Sequence, residues 1–325
     1  MLKLLNFDQD LAEACAAEFL ASAPGRALLP QGAPARPVFL RLDNAPGDRP
    51  ARCVLRMAVG ETQLVLKIDQ RPAAALAGEF AMLERLQAAL APHPSLGVVP
   101  PLYLSPGAGF FVTAFAPGET AWEQIRDPAR AGEAYRLSGT WLAALHRVEP
   151  PKEGQFWPRW IFEKLDALLA EREPKAPRAR HAPMIRALKE QAGALRGRPV
   201  RRCLCHGDIH PRNLLIDGTT VRGLDLAKAG RKMAILDLVD LFRADLECDG
   251  PEAEVDAGGV LRSSRAALLR GYDLPVEEDL LDFCLRGKML IRWLSVTAAL
   301  FDQSDFQQQR YAALERRLSL AFAQG

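Results

Sequence analysis

A chain of 325 residues with 49 % hydrophobic and 25 % charged side chains has apolar material for one large domain or two lobes, and its composition is that of an ordinary globular protein. Its formal net charge of +2 gives no ground for a nucleic-acid or membrane partner. The six cysteines, at 15, 53, 203, 205, 248 and 284, are scattered and have no His or Cys at zinc spacing. They read as reduced core thiols of a cytoplasmic protein, not as a disulfide frame.

The first segment, "MLKLLNFDQDLAEACAAEFLA", carries acids at 8, 10 and 13 that interrupt any signal-peptide core. The next stretches, "RPVFLRL", "ARCVLRMAVG" and "TQLVLKID", alternate or run apolar and predict three strands, with a tight hairpin at "VGET". "AAALAGEFAMLERLQAALA" has helical period, with Leu76, Phe80, Leu83 and Leu90 on one face. Two more extended runs follow, "GVVPPLYLS" and "GFFVTAFA". "APGE" at 116–119 then breaks the pattern, and helices dominate beyond it. The expected organisation is a sheet lobe over 1–116, with 1–36 an unassigned extension, and a mainly helical lobe over 117–325. The most apolar candidate for a membrane span, "FCLRGKMLIRWLSVTAALF", contains Arg286, Lys288 and Arg292 and is not one.

Inside the helical half lies "LCHGDIHPRNLLID", residues 204–217. Phosphoryl transfer from a nucleotide needs a carboxylate near the acceptor hydroxyl, metal ligands, and a cation on the phosphates. Asp208 has the chemistry of the base. Asn213 can ligate a magnesium ion through a neutral carbonyl oxygen. Asp217-Gly218 is a strong hairpin signal, and folding back about it brings Asn213 towards Asp225, a carboxylate able to share the metal. In "QLVLKID", Lys67 is the only basic residue of an apolar strand, and a charge there is costly unless paired. Glu79 lies on the helix face of Leu76 and Leu83, whereas Glu84 points elsewhere. A Lys67–Glu79 pair is therefore expected, with the ammonium held towards the phosphates.

These residues carry a resemblance. "HGDIHPRN" resembles the catalytic-loop motif His-Gly-Asp-x-x-x-x-Asn of the aminoglycoside phosphotransferase and choline kinase family, small-molecule kinases with a protein-kinase-like fold. Asp225 in "GLDLA" is similar to that family's metal-binding Asp, and "DLVDLF" from Asp237 to the Asp-Leu that follows it. "WLAALHRV" resembles its Leu-x-x-Leu-His helix, and "ETQLVLKID … EFAMLERL" its lysine strand and glutamate helix. The resemblance runs from about residue 37 to the C-terminus. It implies an α+β, two-lobed fold with a small antiparallel sheet and one helix in the N-lobe, and a larger, mainly helical C-lobe. It also implies ATP and Mg2+ as cofactors and a small-molecule acceptor: an amino sugar, sugar, amino alcohol or aminoglycoside. Asp208 would be catalytic and Asn213 and Asp225 would hold the metal. Lys67, Glu79, the linker backbone at Phe115 and Ala116, and His210, where protein kinases carry a phosphate-contacting Lys, would serve the nucleotide. The sequence departs from the pattern at "LDNAPGDRPAR", which offers one Gly where a glycine-rich loop belongs, and at the Leu-Ala after Asp225.

Other readings accompany these. Asp208 and Asn213 also suit a turn, His206 a loop support, His210 a solvated loop position, Arg212 the surface, and His146 the interior of an apolar helix. Asp237 suits bracing of the catalytic loop. "FWPRW" at 156–160 fits either core or a stacking platform for a sugar. Residues 237–256 hold eight acids against one Arg, which favours an aminated acceptor; residues 171–202 hold ten Lys or Arg against three acids, which favours an anionic one. The first cluster adjoins the expected metal site and is preferred. Two further functions are weighed against the kinase: a nucleotide-binding scaffold without turnover, and a protein kinase. No Ser, Thr or Tyr occurs between Thr220 and Ser263, so a phosphorylated activation loop is unavailable. Oligomeric state is not expressed in the sequence.

Overall fold

In a computed structural model the described residues are 7–28, 36–42, 52–70, 74–171, 173–246 and 250–324. The "LDNAPGDRPAR" loop lies almost wholly outside them. The chain divides into two compact units, Met1–Gly118 with Arg222–Ala229, and Glu119–Val221 with Gly230–Gly325. The expected division at 116 did not include the return of Arg222–Ala229 to the first unit.

The first unit opens with α1 (Gln9–Ala21) and α2 (Ala23–Leu28). β1 (Val38–Arg41), β2 (Arg52–Val59) and β3 (Thr62–Asp69) precede α3 (Ala74–Leu90), and β4 (Leu96–Val98), β5 (Pro101–Leu104) and β6 (Phe110–Ala114) follow it. The main sheet is antiparallel in the order β1-β2-β3-β6-β5. Period-two alternation sends Cys53, Leu55, Met57, Leu64, Leu66 and Ile68 to one face, where all are buried. α1 covers that face with Ala12, Cys15, Ala16 and Phe19. Its alanines let the helix lie close, and Phe19 reaches Tyr103, ring to ring at 5.7 Å. Four residues of the unassigned N-terminal extension are therefore core material, and α3 sits against the opposite face.

The second unit begins with β7 (Glu119–Thr120), α4 (Ala121–Ile125), α5 (Ala131–Arg147), β8 (Lys152–Gln155), α6 (Arg159–Glu171), α7 (Arg178–Leu195) and β9 (Pro199–Cys205). β10 (Leu214–Asp217) and β11 (Thr220–Gly223) make the hairpin that carries the chain into the first unit. On return come β12 (Gly230–Met233), α8 (Ala234–Leu241), α9 (Arg243–Leu246), α10 (Arg262–Gly271), α11 (Glu278–Leu294), α12 (Ala298–Phe301) and α13 (Asp305–Ala323). β9 lies between β8 and β12, so the strand entering the His206–Asn213 loop is held on both sides. Its Cys205 pairs with Gly230. α5 and α10 cross at glycines: a Cβ on Gly139 would lie 2.2 Å from the Leu268 carbonyl oxygen, and one on Gly271 would lie 1.9 Å from that of Arg136. Only residues without a side chain allow that approach.

Candidate active site

In the first unit, β3 turns Lys67 to the face opposite Leu66 and Ile68, between Val54 of β2 and Phe111 of β6. α3 is held over this face by Phe80, whose ring lies 5.8 Å from that of Phe111. This places Glu79, one residue earlier, so that both its carboxylate oxygens accept from Lys67 Nζ at 2.8 Å. Asp225 Oδ1 accepts from the same ammonium at 2.9 Å. Glu79 is 3 % exposed, Lys67 14 % and Asp225 45 %, so a buried pair is joined by a carboxylate that reaches solvent. Burial disfavours the Lys67 ammonium, yet Glu79 and Asp225 outweigh it and raise its proton affinity above the ordinary lysine value. Burial also pushes the Glu79 carboxyl up against the opposing pull of Lys67.

Asp225 occupies the left-handed region, at φ 55 and ψ 61, a conformation that Asp tolerates better than most residues. The segment after it packs on α3. The expected Lys67–Glu79 pair is present. The direct bond from Lys67 to Asp225 was not anticipated.

In the second unit, β9 delivers "HGD" at its end. Gly207 takes φ 78, which turns the chain sharply and exposes Asp208. The turn is anchored from below by Asp237 of α8, 1 % exposed. Asp237 accepts the backbone N–H of His206 at 2.7 Å and that of Gly207 at 3.0 Å. Its Oδ2 also lies 3.2 Å from His146 Nε2, and His146 Nδ1 lies 2.8 Å from the Tyr272 hydroxyl.

Burial opposes charge on both members of this pair, but the pair prevails. Asp237 is held below the usual carboxylate range by His146 and the Gly207 amide, and His146 is raised above the usual imidazole value by Asp237 and Cys205. Bracing by Asp237 and an interior place for His146 thus match the sequence reading. The His206 ring is buried against Trp141, 6.2 Å between centroids. Cys203, Cys205 and His146 bring ligand-type atoms within 4.8 Å of one another, but both nitrogens of His146 are engaged by Tyr272 and Asp237. The cluster is core.

Beyond Asp208, a short 3-10 helix over Pro211–Asn213 orients the remaining groups. Asn213 Nδ2 donates to the Asp208 carbonyl at 3.1 Å, which leaves its Oδ1 as the group available to a cation. His210 Nδ1 accepts the Arg212 N–H at 3.1 Å, and its ring lies 5.0 Å from that of Trp122. Burial, reinforced by Arg243, Arg212 and Arg292, holds His210 down at about 3. With Nδ1 turned to the Arg212 amide, the ring helps to shape the turn. Arg212 is exposed but lies over Trp122, 4.8 Å from the ring centroid. Trp122 was missed by the sequence reading, although a signal existed. It follows Thr120 of a capping box with Glu123, and T-x-x-E before an apolar run marks a helix start.

Three other expectations meet the structure here. The Phe115 amide donates to the Gln63 carbonyl at 3.3 Å and is engaged within the sheet, while its ring lies 4.6 Å under the Arg56 guanidinium; Ala116 is buried. In "FWPRW", Phe156 is core against Phe283 at 5.8 Å, and Trp157 is 54 % exposed. The acids of 237–256 are largely engaged internally. Asp237 braces the loop, and Asp240 accepts from Lys288 at 3.0 Å. Asp245 accepts from Ser264 Oγ at 2.6 Å and the Leu261 N–H at 3.0 Å, and Asp256 accepts from Arg265 Nε at 2.6 Å. Residues 247 and 249 lie outside the described residues. Glu252 and Glu254 are exposed.

A five-stranded sheet carrying a lysine–glutamate pair, and a helical unit carrying a braced Asp-x-x-x-x-Asn loop, define the protein-kinase-like fold. The chain belongs to the phosphotransferase enzyme family, whose pattern it matches over residues 46–278. Solved structures of the same fold include an amicoumacin kinase in complex with AMP-PNP, Ca2+ and Ami, at 16 % identity and TM-score 0.58, covering 96 % of this chain and 93 % of that one. A choline kinase from Streptococcus pneumoniae aligns at 15 % identity and TM-score 0.55, covering 95 % and 99 %. A spectinomycin phosphotransferase in complex with ADP and spectinomycin aligns at 13 % identity and TM-score 0.53, covering 89 % and 92 %. No curated protein matches the chain by sequence. Among the described residues no helix is long and apolar enough to cross a membrane.

Proposed function

We propose that this protein is a kinase that transfers the γ-phosphate of ATP to a hydroxyl of a small molecule. The observation that carries the reading is the triple bond set of Lys67 Nζ, to both oxygens of Glu79 at 2.8 Å and to Asp225 at 2.9 Å. A lysine so far out of water is held protonated and fixed in direction, which suits a cation meant for phosphates rather than one meant for solubility.

By its own chemistry, each of the two ligands that the family pattern implies suits a divalent metal. Asn213 Oδ1 is a neutral oxygen whose amide is already oriented, and Asp225 is a partly exposed carboxylate; hard oxygens of this kind suit Mg2+. Such an ion, when bound, shields the charge of the transferring phosphoryl group. Asp208, exposed at the tip of the braced turn, accepts the proton of the acceptor hydroxyl as its oxygen attacks the γ-phosphorus and the bond to the leaving ADP breaks. Asp237 and His146 hold the turn and touch no substrate.

Asp208→Asn tests the assignment, because the carboxamide keeps the shape and removes the base. Affinity for ATP with magnesium should persist while acceptor-dependent ADP release is lost. Undiminished ADP release from that variant would refute the role of Asp208.

A further inference from the structure

The basic run over 171–202 separates into two groups once it is folded. Arg180 reaches Glu315 at 3.5 Å, Arg198 pairs with Asp279, and Lys175 lies 4.7 Å over the Phe301 ring. Arg178, Arg186, Lys189 and Arg196 are exposed and meet no carboxylate among the described residues. The first three belong to α7 and Arg196 is its C-cap, and the helix contains one acid, Glu190. Lys189 also lies 5.9 Å over the Phe162 ring of α6.

At 3.6 residues per turn these four cations fall within an arc of about 80° and span about 27 Å along the helix axis. His181, Met184, Leu188, Ala192 and Leu195 are buried and hold the other side of α7 to the core. Ala182 and Gly193 lie between the cations and are exposed, and a Cβ on Gly193 would touch nothing within 4 Å. The stripe is therefore low in relief, with charge standing above it. Arg178 occupies the first helical turn, where the macrodipole disfavours a cation. Arg186 and Lys189, three residues apart, repel one another. Neither placement helps the helix alone, and an opposing row of anions would reverse both.

We propose that this stripe docks an acidic helical segment of a partner protein, whose carboxylates lie in one row against Arg178, Arg186, Lys189 and Arg196. Two helices share a repeat, so carboxylates every three or four residues on the partner meet the cations along the whole stripe. The planar fork of arginine, present at three of the four positions, matches a carboxylate with two parallel bonds. Between the cations the stripe has only Ala182 and Gly193: no aromatic ring to stack a base, and no large apolar side chain to enter a bilayer. A net charge of +2 adds no general attraction for polyanions. The inference is independent of the kinase reading, which uses none of these residues.

The test is binding of fluorescein-labelled helical peptides of about 19 residues, long enough to span the stripe, to the full chain, read by anisotropy. One peptide carries all its Glu residues on one face; its isomer has the same composition with Glu spread around the helix. Wild type should bind the one-faced peptide about 10-fold more tightly than the isomer. The variant Arg178→Gln/Arg186→Gln/Lys189→Gln/Arg196→Gln should lose that affinity by about 10-fold or more, since each of four exposed pairs changes affinity by about 1.4- to 5-fold. Its melting temperature should not fall, because the replaced side chains are exposed and Gln is as good a helix former, so the loss is one of docking and not of folding. Raising salt from about 50 to 300 mM should weaken wild-type binding and leave the residual binding of the variant unchanged. Equal affinity for the two peptides, undiminished binding by the Gln variant, or tighter binding of wild type to duplex DNA or phosphatidylserine vesicles than to the one-faced peptide would overturn the inference.

Discussion

Replacing Lys67 by Met removes the cation from a carboxylate that is 3 % exposed and leaves Glu79 facing Asp225. Breaking a buried pair by deleting one partner costs about 3–5 kcal/mol, and the half-exposed Asp225 adds little to that. Taking about 3 kcal/mol, and about 3–4 °C per kcal/mol for a unit of this size, the melting temperature should fall by about 10 °C at pH 8.

The deficit should shrink at pH 5. Burial already raises the Glu79 carboxyl above its ordinary value, and without Lys67 it rises further. A carboxyl whose folded-state value exceeds its unfolded one destabilises increasingly as pH rises through the folded value, and is tolerated once protonated. Lys67→Met/Glu79→Leu should regain most of the lost stability, since an apolar pair replaces a buried ionic one at little cost, yet neither variant should bind ATP. The assay is thermal unfolding by circular dichroism at the two pH values, with ATP titration by calorimetry. A Lys67→Met protein melting within 2 °C of wild type at pH 8, or a double variant no more stable than the single one, would refute the reasoning.

Gly271→Ala places a Cβ 1.9 Å from the Arg136 carbonyl oxygen and should cost about 1–3 kcal/mol as α5 and α10 are forced apart, whereas Gly193→Ala on α7, with nothing within 4 Å of its added carbon, should stabilise by up to about 1 kcal/mol; equal melting temperatures for the two variants would contradict the packing described. His146 is raised by its partners and Asp237 lowered, so the contribution of His146 is full below about pH 6.5 and fades as pH climbs through its elevated folded value, while that of Asp237 is full above about pH 3.9 and is lost as pH falls through its depressed folded value. His146→Gln should therefore flatten the alkaline limb of the stability–pH curve, and a limb of unchanged slope would show that the imidazole is not charged in the folded protein.

Much of the candidate site is legible in the chain because it is built from local regularities. Alternation in "QLVLKID" puts Lys67 on a known face of its strand, and helical period puts Glu79 rather than Glu84 towards it. The Asp208–Asn213 spacing and the turn at Asp217-Gly218 are equally local. α1 is less visible: the residues it buries are Ala12, Cys15, Ala16 and Phe19, and three of these are too small to stand out as an apolar stripe, although they suit close packing on a sheet. In the acidic run 237–256, charge density in sequence says nothing of which members find partners on other helices, as Asp240 does in Lys288 and Asp256 in Arg265.

The order of residue types alone therefore determined which chemistry the chain carries: a strand lysine, a helix glutamate, and a loop with a carboxylate and a carboxamide, each set by periodicities of two, of 3.6, or of a single turn. Tertiary packing decided which charges meet. Lys67 and Asp225 are 158 residues apart along the chain and meet at 2.9 Å only because the segment after Asp225 packs on α3. Coulombic interaction depends on separation in space and on the water excluded between groups, and both are properties of the packed chain alone.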